Sequence, residues 1–282
     1  MNSTTSPIGV FDSGIGGLSI LKALRTAMPF ERFVYFADTK HNPYGEKPEA
    51  FVRERSLAIV QMLLDEHRIK ALVVACNTAT AAAVSVLRET FPELPIVGVE
   101  PALKPAALAT RSGRILVLAT RGTLQSEKFA QLKWKLESEH AALTQGSGRL
   151  LHFTCVPCDG LADRIEQLSI DGAAWRYAPD LIASCAAYMP AGGPISLKNA
   201  DEGFDTLVLG CTHYPLIREV FGSLAGDGLT IVDNAESVAL RTMQLLGAFC
   251  APSQQAGDVI WRSSADEAQL VQAARYWGLA YE

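Results

Sequence analysis

The stretches 73-VVACNTATAA-82 and 208-VLGCTHYPLI-217 each place a cysteine where a short β-rich apolar run opens into a polar loop. A continuous apolar run of four or five residues is the pattern of a strand buried on both faces, and such strands build parallel sheets covered by helices. The same rhythm extends outward in both directions. Ile8–Phe11 ends at Asp12 and opens into 18-LSILKALRTAM-28. Phe33–Ala37 ends at Asp38 and leads through 42-NPYGEKP-48 into 49-EAFVRERSLAIVQMLLDEH-67, where Leu57, Val60, Leu63 and Leu64 recur at helical spacing. Ala71–Ala75 ends at Cys76, and Pro95–Val99 ends at Glu100.

Further along, Arg114–Ala119 ends at Thr120 and a helix is expected from Ser126. Leu150–Val156 leads to 159-DGLADRIEQL-168, Thr206–Gly210 ends at Cys211, and Thr230–Val232 ends at Asp233. Strands alternating with amphipathic helices predict an α/β fold. The halves also match each other in order. Strand 8-IGVF-11 with Asp12-Ser13-Gly14 pairs with 114-RILVLA-119 and its Thr120-Arg121-Gly122-Thr123 loop; 71-ALVVA-75 with Cys76-Asn77-Thr78 pairs with 206-TLVLG-210 and Cys211-Thr212-His213. The expectation is two similar doubly wound parallel-sheet domains, with the active site in the cleft between them. Ligands bind at the C-terminal strand ends of open α/β sheets, so both thiols should face one cleft.

Composition narrows the function. The chain has 282 residues, 49% of them hydrophobic and 20% charged, as in a globular protein of two ordinary domains. A net charge of −5 with scattered Lys and Arg argues against a nucleic-acid partner. No apolar run has the length of a membrane span, since Ala71–Leu87 is broken by Asn77, Thr78, Thr80 and Ser85. The polar start 1-MNSTTSPIGVFDSG-14 is not a secretory signal, so a cytoplasmic location and six reduced cysteines are expected. Cys155 and Cys158 form a C-x-x-C, but no second pair or H-x₃₋₅-H supplies the rest of a metal site. Cys185 and Cys250 read as small buried hydrophobes.

Two cysteines facing one small substrate point to acid–base rather than covalent chemistry. One thiolate removes a proton from carbon while the other thiol delivers a proton to the opposite face. Asp12, at a strand end before 13-SGIGG-17, offers a carboxylate, and the glycine-rich helix start is expected to hold a ligand carboxylate. As a nucleotide motif the loop fails, because Ser19 stands where the last glycine belongs. Asn77, Thr78 and Thr212 present hydrogen-bonding groups beside the thiols, and His213 can relay a proton from Cys211. The bland readings are an inert buried Cys, an ordinary turn, and an Asp12 that only caps a helix.

At these residues the chain resembles the glutamate racemases of the aspartate/glutamate racemase superfamily. The resemblance rests on 10-VFDSGIGGLSIL-21, 35-YFADTKHNPYGEK-47, 74-VACNTATA-81, 96-IVGVEPALKPA-106, 209-LGCTHYPLI-217 and 231-IVDNAESVA-239. It implies catalytic roles for Cys76 and Cys211, with auxiliary acid–base roles for Asp12, His213 and Glu166. It implies substrate contacts at Asp12, Ser13, Tyr44, Gly45, Asn77, Thr78, Thr212 and His213, joined by Thr120 and Thr123. It further implies interconversion of L- and D-glutamate without pyridoxal phosphate, metal or other cofactor, in a bacterial homodimer supplying peptidoglycan and so serving cell-wall biogenesis and cell shape. The implied domains are residues 1–98 with 212–282, and 99–211. The rival readings are an aspartate- or hydantoin-type racemase, a thiol hydrolase using Cys211 with His213, and a gyrase-binding interaction protein. His213-Tyr214 after the GCT triplet and the DSGIGG start favour glutamate.

Overall fold

The computed structural model describes residues 4–143, 150–170, 178–189, 203–225, 228–247, 250 and 255–280. The first half runs β1 (Ile8–Asp12), α1 (Leu18–Ala27), β2 (Phe33–Ala37), α2 (Glu49–His67), β3 (Ala71–Val74), α3 (Asn77–Thr90), β4 (Ile96–Gly98) and α4 (Leu103–Ala109). It continues with β5 (Arg114–Ala119), α5 (Arg121–Leu124), α6 (Glu127–Leu143), β6 (His152–Pro157), α7 (Leu161–Ile170) and α8 (Pro179–Ala187). The last part is β7 (Thr206–Leu209), α9 (Arg218–Ala225), β8 (Thr230–Val232), α10 (Ala235–Leu246), β9 (Val259–Ser263) and α11 (Glu267–Tyr276).

These strands form two parallel sheets, ordered β4-β3-β1-β2-β9 and β6-β5-β7-β8. Read from the other edge, the second is β8-β7-β5-β6, the order of β4-β3-β1-β2 in the first. The repeated pattern seen in sequence is therefore a repeated topology. β3 and β7 hold equivalent positions beside the central strands β1 and β5, so Cys76 and Cys211 leave equivalent strand ends.

Each sheet is covered on both faces, as continuous apolar strands require. Alternating residues of β1 to β3 pack one way against α1, α10 and α11 through Leu21, Leu24, Val238 and Ala273. The opposite set, including Val34, Leu72 and Val74, packs against α2 and α3 through Ile59, Leu63 and Ala83. In the second sheet Leu116, Leu118 and Leu207 face α7, α8 and α9, while Ile115, Val117 and Val208 face α4 and α6.

The C-terminal part returns to the first sheet, where β9 pairs in parallel with β2 and α10 packs along α1. β8, however, pairs with β7 in the register Thr206↔Thr230, so the second sheet draws its edge strand from beyond residue 211. The sequence reading does not anticipate β9. Its residues 259-VIWRS-263 are half-buried throughout, as befits an edge strand, and lack the fully apolar character of the central ones.

Candidate active site

β3 ends in a buried backbone turn at which Cys76 becomes the N-cap of α3, its Sγ accepting the Ala79 N–H at 3.4 Å. The Ser13 hydroxyl lies 3.9 Å from the same sulfur. Cys76 is 5% exposed. Burial pushes its thiol far above the usual range, and the Asp12 carboxylate and Cys211 push it further; the Ala79 N–H and Ser13 oppose them. The free protein therefore holds this sulfur as a thiol.

Asp12, the last residue of β1, is fully buried beside it. One carboxylate oxygen accepts the Gly17 N–H at 2.7 Å. The other makes no hydrogen bond among the described residues. Burial raises the Asp12 carboxyl to about 6, against the lowering pull of His213 and the Gly17 N–H. A carboxyl titrating there can carry a proton at near-neutral pH.

The second thiol follows β7. Cys211 is 7% exposed, and its sulfur lies 3.8 Å from His213 Nδ1. The other ring nitrogen, Nε2, lies 2.8 Å from Glu166 Oε2, and both residues are buried. Residues two apart on a loop can splay, but Cys211 and His213 do not: Glu166 on α7 holds the ring in place. Burial disfavours the imidazolium, yet the bonds to Cys211 and Glu166 outweigh it and raise His213 well above its ordinary value. Each thiol thus has a proton-carrying neighbour, Asp12 for Cys76 and the His213–Glu166 pair for Cys211. A charge on one sulfur is felt at the other.

The glycine-rich loop after β1 does different work from that expected. Its Ile15 N–H donates to Glu166 at 2.9 Å and its Gly17 N–H to Asp12, so protein carboxylates occupy these donors. A Cβ on Gly14 would collide with the Glu166 carboxylate, and one on Gly16 with the His213 ring and the Thr212 hydroxyl. The glycines let a loop of the first unit lie directly against the Cys211 side of the second.

Between the units runs a chain of hydroxyls. Thr78 Oγ1 is 3.1 Å from Thr120 Oγ1, which is 3.0 Å from Thr123 Oγ1. Thr120 also caps α5 by accepting the Thr123 N–H. Gly45 packs against Thr120, and Tyr44, 1% exposed, sits in the turn just before it. Asn77 donates to Val99 O at 3.1 Å and leaves its buried carbonyl oxygen without a partner among the described residues. Thr212 is buried, and its backbone carbonyl accepts the Ser19 hydroxyl. The expected residues thus gather at the facing C-terminal ends of β1, β3, β5 and β7, with Tyr44 and Gly45 brought in by the turn after β2 and Glu166 from α7.

Asp38, Arg55 and His41, to which the sequence reading gives no role at the site, anchor this region. Asp38 has no exposed side-chain surface. It accepts from the Tyr44 hydroxyl at 2.5 Å, from Arg55 at 2.8 and 3.1 Å, and meets His41 Nδ1 at 3.0 Å. Burial alone would raise its carboxyl, but these bonds hold it at about 2. The available signal was an aspartate at a strand end ahead of the Pro-Tyr-Gly turn. The C-x-x-C lies along the end of β6: Cys155 is half-buried, and the buried Cys158 packs in the second core. Cys185 is buried and Cys250 partly so. Among the described residues no group of three or more His, Cys, Asp or Glu side chains is arranged to hold a metal ion.

Comparison with known proteins gives one consistent answer. Residues 19–136 match the Asp/Glu/Hydantoin racemase family. The glutamate racemase of Ectopseudomonas mendocina is 42% identical over 282 residues, spanning 98% of this chain and 90% of that protein. That of Cupriavidus pinatubonensis is 46% identical over 245 residues, spanning 87% and 80%. Among solved structures, Escherichia coli glutamate racemase in complex with L-glutamate and activator UDP-MurNAc-ala superposes with a TM-score of 0.74. It shares 31% identity over 96% of this chain and 95% of that one. The isoform RacE1 from Bacillus anthracis reaches 0.78 at 27% identity, over 99% and 96%. Similarity of this extent to glutamate racemases, along nearly the whole length of both chains, means that the chain belongs to the glutamate racemase family.

Proposed function

We propose that this chain is an isomerase that interconverts L- and D-glutamate by two-base proton transfer, with Cys76 and Cys211 as the proton-transferring pair. The observation that carries the reading is the equivalence of the two thiols. They leave matching strands of a duplicated sheet, both are buried, and each has its own acid–base neighbour. In this mechanism one sulfur, as thiolate, takes the Cα proton and the opposite thiol protonates the other face. Asp12 assists Cys76; His213, held by Glu166, assists Cys211. Ser13, Tyr44, Gly45, Asn77, Thr78, Thr120, Thr123 and Thr212 bind the amino acid. Their hydroxyl, amide and backbone groups stabilise negative charge developing at the substrate carboxylate in a site shielded from water.

The wider proposal is a cytoplasmic homodimer whose D-glutamate enters peptidoglycan synthesis. Among the described residues no helix is long and apolar enough to cross a membrane. The Cys211–His213–Glu166 series also resembles a thiol-hydrolase triad, but that chemistry gives Cys76 no role. The deciding experiment incubates the purified chain with L- or D-glutamate in D₂O without added cofactor, following optical rotation and Cα deuteration. Aspartate and a hydantoin serve as parallel substrates. Racemisation of glutamate with solvent deuterium at Cα, lost in both Cys76→Ala and Cys211→Ala, supports the proposal. Preference for another substrate, or activity that survives without Cys76, overturns it.

A further inference from the structure

The residues gathered around the thiols are almost wholly enclosed. Ser13, Cys76, Asn77, Thr123, Cys211 and Thr212 are each 8% exposed or less. An amino acid must therefore pass through the seam where the two units meet, and the openings that the described residues form along that seam differ in size and lining. On one side of the Gly45–Thr120 contact, a crevice between Glu46 and Asp159 holds only about 10 Å³. That is barely the space of one water molecule, and the Arg121–Asp159 ion pair lies beside it. On the other side a groove of about 820 Å³ runs between α2, α3 and the α5–α6 turn. Thr78 and Gly122 line it, and Thr78 is the residue whose hydroxyl meets Thr120 at 3.1 Å, so the groove ends one side chain away from Thr120.

A third cavity, of about 350 Å³, touches Asn77 and Thr123. Its wall carries Val99, Pro101, Phe129 and Leu132 beside Glu100, Lys128 and Lys135, and its surface is more apolar than that of the large groove, which suits a zwitterion less well. The large groove is the more polar of the two. Lys47, Arg53 and Lys128 flank it against Glu49 and Glu127, and Arg53 is paired with Glu49. Lys47 and Lys128 are exposed cations, and Lys128 bridges the units by donating to Thr80 O.

We propose that this groove is the passage by which the amino acid reaches the thiols, with Lys47 and Lys128 attracting a substrate of net negative charge. The charge of the traveller rests on the glutamate reading; the location of the passage does not. Exposed cations at a cleft mouth raise the local concentration of anions, in a way that salt suppresses.

The test blocks the groove without touching the site. Ser85 is exposed on α3 at the groove and has no part in the chemistry, so Ser85→Trp fills the opening. Asp163→Trp, at the closed crevice, is the comparison. Alkylation of Cys76 and Cys211 in the folded protein is followed by mass spectrometry with iodoacetamide and with the anionic iodoacetate. Unchanged thermal midpoints verify folding. The expected result is alkylation slowed at least about fivefold by Ser85→Trp and unaffected by Asp163→Trp. Lys47→Glu should lower the iodoacetate-to-iodoacetamide rate ratio by about threefold at low salt, and less at high salt. Wild-type alkylation in Ser85→Trp, equal slowing in both Trp variants, or a charge-independent ratio overturns the proposal. Because thiol labelling needs no turnover, a chain that failed to racemise glutamate would sink the functional reading while the passage was still judged. For an active chain, Ser85→Trp should also lower kcat/KM.

Discussion

His213 Nε2 lies 2.8 Å from Glu166 Oε2, joining residues 47 positions apart in sequence within a buried pocket. The same Glu166 oxygen accepts the Ile15 N–H, so one carboxylate ties α7, the Cys211 loop and the glycine-rich loop of the first unit together.

Glu166→Gln should therefore release His213 electrostatically while keeping most of the packing. With its carboxylate partner gone, the imidazolium keeps Cys211 but loses the other group that raises it, and the His213 titration should move down toward the ordinary histidine value. Because the native His213 value is raised, its stabilising effect is full below about 6.5 and is lost as pH rises through the folded value. In the variant that loss should occur at lower pH. We expect turnover to fall about tenfold or more, roughly 1.4 kcal/mol of barrier. NMR titration of His213 decides: an unshifted resonance would remove Glu166 from this role.

Asp12→Asn should lower turnover more than it weakens glutamate binding, because the carboxyl assists proton transfer near Cys76. It should also alter stability in a defined direction. Asp12 is raised from 3.8 to about 6, so the folded state holds this proton longer than the unfolded chain does. Native stability attributable to Asp12 is then present below pH 4 and lost as pH rises through 6, by up to about 3 kcal/mol. Asparagine should abolish this dependence, leaving the variant relatively more stable at pH 7 than at pH 4. Urea unfolding at both pH values measures it; a stability difference that does not vary with pH contradicts the burial argument.

The anchor beneath Tyr44 can be tested at Asp38. Asp38→Asn removes the charge that Arg55, Tyr44 and His41 share. Since the carboxyl is held at about 2, its stabilisation is present above pH 4 and lost as pH falls through 2. We expect a cost of about 2 kcal/mol at neutral pH, with KM raised more than kcat is lowered, because the Tyr44–Gly45 turn loses its fixed position. Asp38→Glu should restore part of the KM. A kcat collapse with KM unchanged would mean that Asp38 acts in the chemistry instead.

Cys76→Ser and Cys211→Ser should each abolish racemisation, since each direction needs one thiolate and one thiol. Their partial reactions should be mirror images. If Cys76 is the base for D-glutamate and Cys211 for L-glutamate, Cys211→Ser still abstracts the Cα proton of a D-substrate and Cys76→Ser that of an L-substrate. An analogue with a leaving group at Cβ reports abstraction as elimination and release of a keto acid. Feeding each enantiomer to each variant should give opposite preferences. The same preference in both variants, or wild-type racemisation by either, would defeat the pairing of the two thiols.

Much of this was legible in the one-dimensional pattern. The apolar runs of β1, β2, β3, β5 and β7 are buried on both faces, so their hydrophobicity is continuous and their ends stand out at Asp12, Asp38, Cys76, Thr120 and Cys211. Period and propensity are local properties, and the duplicated order of motifs carried the duplicated topology with them. The edge strand β9 escaped notice because a strand covered on one side needs no such run. The capture of Ile15 and Gly17 N–H groups by Glu166 and Asp12, the seating of His213 by a residue 47 positions away, and the Asp38 anchor were decided only by tertiary structure. These are polar contacts between distant segments, and no local period encodes them. Burial, too, exists only once the chain has folded, and it is burial that raises Asp12 and Cys76 away from their ordinary values. The sequence by itself determined which residues reach the sheet edges; the folded cleft decided which of them hold protons and which hold one another.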